Sequence, residues 1–160
     1  MAAKKKRKPA RGARKRTPKR STRRSRLKTR RQPESLRLRS MAVSLTVSDL
    51  ERSIAWYRDV LGFTVGERWE ENGELRGIQL KAGTCDLMLN QDDFAKGRDR
   101  KKGDGFRLWI STIQDIDEIA GRIQATGGLL DYPPRRMPWG DYAFAITDPD
   151  GYKVTCMQEQ

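Results

Sequence analysis

The 160-residue chain contains no histidine. That removes the commonest metal ligand and the commonest acid–base group at neutral pH. Its two thiols, Cys85 and Cys156, lie far apart and form no C-x-x-C pair, so a zinc site is not expected. Both read as buried thiols of a reducing, cytoplasmic setting. What the sequence does offer is aromatic surface. Trp69, Trp109, Trp139, Tyr142 and Phe94 fall outside the first helical stretch, and aromatic faces stack on planar or cationic groups. Gln79 and Thr155 add hydrogen-bonding capacity on strand-like segments. The chemistry within reach is therefore recognition rather than metal-assisted or histidine-based catalysis.

Charge is divided unevenly along the chain. Residues 1–40 carry 19 Lys and Arg against one acid, Glu34, giving +18, while the remaining 15 bases meet 20 acids, giving −5. The basic stretch has almost no large apolar residue, and its like charges repel, so residues 1–38 are expected to be a disordered tail. It has no apolar core of the kind that marks a secretory signal. The runs Lys4, Lys5, Lys6, Arg7, Lys8 and Arg14, Lys15, Arg16 attract polyanions. Without interleaved aromatics they offer no base stacking, so nucleic-acid contact through them would be non-specific and steeply salt-dependent. No apolar run is long enough to span a membrane.

From Met41 onward the composition becomes that of a folded domain, taken here as 41–160. "MAVSLTV" alternates like a half-buried strand. A helix follows, with Ser48 as N-cap, Glu51 in the capping-box position, an apolar stripe of Leu50, Ile54, Tyr57 and Leu61, and Gly62 at its end. Extended segments are expected near 63–70, 75–82 and 84–90, with "ENG" turning between the first two. The order then returns: a strand in "FRLWISTI", a helix capped by Asp115 with Ile116, Ile119, Ala120 and Ile123 as its stripe, and strands near 129–132, 141–147 and 152–158. Sliding the sequence by 66 residues superimposes Asp49 on Asp115 and Gly62 on Gly128. Two βαβββ units in tandem, an α+β fold, are the simplest account. The charged stretch 90–105 between them is expected to be a mobile connector, with Phe94 as a flap.

"SLTVSDLERSIAWYRDVLGFTV", the "DID" opening the second helix, "PWG" and the closing "DPDGYKV" together resemble the vicinal oxygen chelate superfamily of glyoxalases, bleomycin-resistance proteins and extradiol dioxygenases. The resemblance implies two modules whose sheets form a curled mixed sheet around a cavity. It also implies where metal ligands would stand in the metal-dependent members: at Ala42, near Met88, at Leu108 and at Thr155. None of these is a good donor for a divalent cation, and no histidine is available to replace them.

The resemblance therefore points to the metal-free, bleomycin-resistance-like branch: no cofactor, a homodimer, and a bulky small molecule held in the cavity. Trp139, in "PWGDY", is the leading contact, with Tyr142, Trp69, Phe94, Gln79, Met88, Leu108 and Thr155 around it. Strand alternation counted from Leu108 turns Leu108, Ile110 and Thr112 toward the cavity and Trp109 toward the helices. The domain's net −5 favours a cationic ligand. Two rival readings are a glyoxalase-type lyase or isomerase, and a nucleic-acid-associated metabolite sensor using the tail.

Overall fold

The structure, a computed structural model, describes residues 40–159. The basic tail and its lysines and arginines lie outside them.

The elements run β1 (Val43–Val47), α1 (Leu50–Asp59), β2 (Thr64–Glu71), β3 (Glu74–Ala82), β4 (Cys85–Gln91), then β5 (Arg107–Thr112), α2 (Ile116–Ala125), β6 (Leu130–Arg136), β7 (Tyr142–Thr147) and β8 (Lys153–Gln158). The expected duplication is present: each βαβββ unit closes its own four-stranded mixed sheet, ordered β1-β4-β3-β2 and β5-β8-β7-β6. In each, the first and last strands pair in parallel and the rest antiparallel. Among the described residues the outer strands β1, β2, β5 and β6 each pair on one side.

Local chemistry explains the element ends. Asn72 and Gly73 both take positive φ, which is what the two-residue turn joining β2 to β3 requires. Asp115 caps α2 as expected, accepting from the N–H groups of Asp117 and Glu118. Helix α1 differs. Its cap is Asp49, which accepts from Arg52 N–H at 3.0 Å, and not Ser48. Ser48 serves elsewhere: its N–H donates to Asp150 and its hydroxyl accepts from Lys102.

Each helix covers one face of its own sheet. Leu50, Ile54 and Tyr57 meet Leu45, Val47, Ile78, Leu80, Leu87 and Leu89. Ile116, Ala120 and Ile123 meet Phe144, Ile146, Val154 and Cys156. Trp56, Leu61 and Leu108 pack against both clusters, so the modules share one apolar seam. Cys156 is buried in that seam and desolvation pushes its thiol up to about 11, whereas Cys85, expected to be buried, is exposed at the start of β4. Among the described residues no helix is long and apolar enough to cross a membrane.

The seam ends in a polar clasp. The Tyr57 hydroxyl donates to Asp148 at 2.9 Å inside the protein, and the Tyr152 hydroxyl donates to the Thr46 carbonyl. Lys102, whose side chain is 2% exposed, donates to Asp92 at 2.9 Å and lies 4.0 Å from Asp150, itself equally buried. Arg100 also holds Asp92, and Phe94 lies beneath the Arg98 guanidinium. The connector expected to be mobile is thus anchored, and Phe94 belongs to the anchor. Gly103 passes so close to Gly151 that a Cβ there would collide with the Gly151 carbonyl.

Replacing Lys102 with Met would leave Asp92 and Asp150 buried without this counter-charge. Asp92 keeps Arg100 and Asp150 keeps Arg52, so a lower midpoint is expected in chemical denaturation, with a smaller loss than for a charge left wholly unpaired. Lys102, then Arg100, holds the Asp92 carboxyl well below the usual carboxylate range. A depressed carboxylate stabilises the fold above its unfolded pKa of about 3.9, and that stability is lost as pH falls below it. Asp148 is shifted upward by burial and acts with the opposite sign. Unfolding midpoints measured from about pH 5 to pH 2 should therefore fall less steeply in Asp92→Asn than in the parent chain.

Candidate functional site

Each sheet has a second face that its helix does not cover. On the first, Ser44, Met88 and Gln79 stand side by side across β1, β4 and β3. Asn90 Nδ2 donates to Ser44 Oγ at 2.6 Å. Trp69 on β2 is paired with Gly77 and is 38% exposed. A side chain at Gly77 would press on the Trp69 ring, so the glycine gives the indole room to lie over the sheet.

On the second sheet, Trp109 is paired with Thr155, and Thr155 with Ala145. Trp109 and Trp139 stand with ring centroids 5.9 Å apart at 62°, and are 50% and 55% exposed. Thr155 is 1% exposed and accepts a hydrogen bond from Arg107 Nη1 at 2.9 Å. A cleft of about 570 Å³ continues from Arg107 and Lys153 to Lys101 and Phe106. A second, more apolar cavity of about 650 Å³ lies beside β5, lined by Trp109, Ile113, Ile119 and Phe63.

Strand alternation in β5 is opposite to the sequence expectation. Leu108 and Ile110 pack into the core, while Arg107, Trp109 and Ser111 occupy the uncovered face. The cause is the length of one connector. Val47 and Thr112 close equivalent strand pairs, with Gln91 and Gln158, yet one residue separates Val47 from its helix cap and two separate Thr112 from Asp115. Counting back from the cap therefore lands one residue out of phase. Arg107, not Leu108, is the neighbour of Thr155. Tyr142 is also displaced from the expected site: it packs on the α2 side, where its hydroxyl donates to Asp117. Sequence reasoning missed Arg107 and Lys153, which pairing strands outward from Thr155 would have revealed.

The candidate metal positions now read Ala42, Met88, Arg107 and Thr155. A methyl, a thioether, a guanidinium and a hydroxyl do not fit a divalent cation, and a fixed positive charge among them opposes one. Among the described residues no three His, Cys, Asp or Glu side chains converge.

Paired βαβββ modules, each with a helix-covered and an uncovered sheet face, define a two-module scaffold class. The model of the glyoxalase/bleomycin resistance protein/dioxygenase superfamily matches residues 39–155, and the chain belongs to that superfamily. It is 27% identical over 131 residues to a probable lactoylglutathione lyase of Vibrio cholerae serotype O1, covering 76% of this chain and 91% of that one. It is 24% identical over 114 residues to glutathione transferase FosA of Serratia marcescens, covering 70% and 74%. Among solved structures, TioX from Micromonospora sp. ML1 matches with a TM-score of 0.62 at 23% identity, over 75% of this chain and 98% of TioX. A superfamily member from Sphaerobacter thermophilus matches with a TM-score of 0.61 at 25% identity, over 74% and 94%.

Purified protein stripped with chelator and re-equilibrated with nickel, zinc or manganese is expected to retain well under one metal per chain by elemental analysis. One equivalent surviving dialysis would contradict the donor chemistry above.

Proposed function

We propose that this chain is a metal-independent small-molecule-binding protein of bleomycin-resistance type that sequesters a bulky planar compound on its uncovered sheet faces. The observation that carries the reading is the placement of Trp69, Trp109 and Trp139, each more than a third exposed, on or beside faces that lack divalent-metal donors. Ala143, Ala145 and Thr155 on this face are at most 1% exposed, so a flat ligand would stack on the exposed indoles themselves. Met88 and Gln79 furnish one adaptable apolar contact and one amide on the other sheet.

The same reading has the protein act as a homodimer. Ile113 and Leu129 are 85% exposed, and the β5 edge is bare beside an apolar cavity. Apolar surface of this kind is commonly covered by a partner, and an isologous second copy is the simplest one. The basic tail would act separately, as a non-specific polyanion contact.

The lyase names of two-module relatives favour a rival, glyoxalase-type reading. It requires an electrophile that the residues at Ala42, Met88, Arg107 and Thr155 do not supply.

Calorimetric titration against a panel of planar compounds is expected to give saturable binding, weakened about tenfold or more by Trp139→Ala, in line with an aromatic contact of 1–3 kcal/mol. Sedimentation velocity is expected to give twice the chain mass. Failure to bind any member of a broad planar panel would remove the binding-protein reading.

A further inference from the structure

Arg107 stands on the uncovered face of the second sheet beside Lys153, its cross-strand neighbour, and two residues from Trp109. Among the described residues neither cation has a carboxylate within ion-pair distance. The nearby acids are already engaged. Asp104 pairs with Lys101 at 2.9 Å. Asp150 is buried and takes the Ser48 N–H and the Ser53 hydroxyl. Asp131 takes the Thr147 hydroxyl. Arg107 is not loose, however: its Nη1 donates to the buried Thr155 hydroxyl, which fixes the guanidinium over the floor of the face. A guanidinium has five N–H donors, and among the described residues its one side-chain acceptor is Thr155, so most of its fork is unused there. The cleft of about 570 Å³ that Arg107 and Lys153 line gives an incoming group room.

We propose that the second sheet's uncovered face recognises a planar aromatic compound bearing an anionic group, with Arg107 receiving the anion and the Trp109–Trp139 pair receiving the ring. The inference rests on the binding-protein reading and deepens it by fixing the ligand's charge. Arg107 and Trp109 are alternate residues of β5, and the Arg107 guanidinium reaches Thr155, the cross-strand neighbour of Trp109, so one ligand can meet both the cation and the ring. The domain's net −5 pointed to a cation, but that charge is spread over the surface and is screened beyond about 8 Å in physiological salt. A positioned guanidinium at contact distance decides the local preference. Arg forks match planar oxyanions in two parallel hydrogen bonds.

The test uses the full-length protein with two fluorescent probes that differ by one sulfonate: 8-anilinonaphthalene-1-sulfonate and uncharged N-phenyl-1-naphthylamine. In physiological salt the sulfonate should bind the tighter of the two. Arg107→Met should weaken it about ten- to a hundredfold while changing the neutral probe about twofold or less. Arg107→Lys should recover part of the loss, and Trp109→Ala should weaken both probes. Any contribution of the basic tail is common to parent and variants, and circular dichroism of each variant shows whether the fold is retained. Unchanged sulfonate affinity in Arg107→Met and Arg107→Lys would overturn the anion assignment and leave the binding-protein reading standing. If neither probe binds the parent chain, both fall together.

Discussion

The arrangement depends on a buried polar knot at the turn Asp148–Gly151. Asp148 accepts from the Tyr57 hydroxyl of the first helix, and Asp150 accepts from the Ser48 N–H at that helix's entrance. Lys102 reaches in from the connector to meet Asp92 and Asp150. Apolar packing along Trp56, Leu61 and Leu108 supplies area without direction. The knot supplies direction: each buried oxygen has an assigned donor, and a slip of one module against the other would strand charges away from water. The buried stripe of each helix is thereby held in the core, and each sheet keeps a face that its helix does not cover.

On that surface, the family's architecture is kept while its metal chemistry has no donors. The four relevant positions hold a methyl, a thioether, a guanidinium and a hydroxyl. What is left is a row of small buried residues, Ala143, Ala145 and Thr155, with the exposed indoles of Trp109 and Trp139 beside it. Arg107 adds a fixed charge at the edge of that row, anchored by Thr155. Thr155 is therefore more than filler where a carboxylate would otherwise stand, because its hydroxyl accepts from the Arg107 guanidinium and orients it.

Much of this was legible in the sequence. Helical periodicity around Tyr57 and Ile123, the "ENG" turn and the 66-residue repeat follow from local chemistry, and the structure contains all three. The Ser48 cap failed because two capping side chains stood side by side, and only the distant Lys102 and Asp150 decide which one caps. Tyr142 and Phe94 were misplaced for a similar reason. An aromatic residue near a loop can serve a core, an anchor or a ligand, and its neighbours in space settle which. Apart from the Asp92 pairs with Arg100 and Lys102, the clasp joins residues roughly fifty to a hundred positions apart, a separation at which no local pattern speaks.

The connector between β5 and α2 is one residue longer than its counterpart in the first module. A strand alternates faces with every residue, so this single added position inverts what the whole strand displays. With the shorter connector, "RLWIS" would present Leu and Ile to the uncovered face and turn Arg and Trp toward the helix. With the longer one, the same letters give a cation and an indole to the solvent side and an aliphatic underside to the core. A change in chain length, with no substitution in the strand, is thus enough to exchange an apolar sheet face for a charged aromatic one.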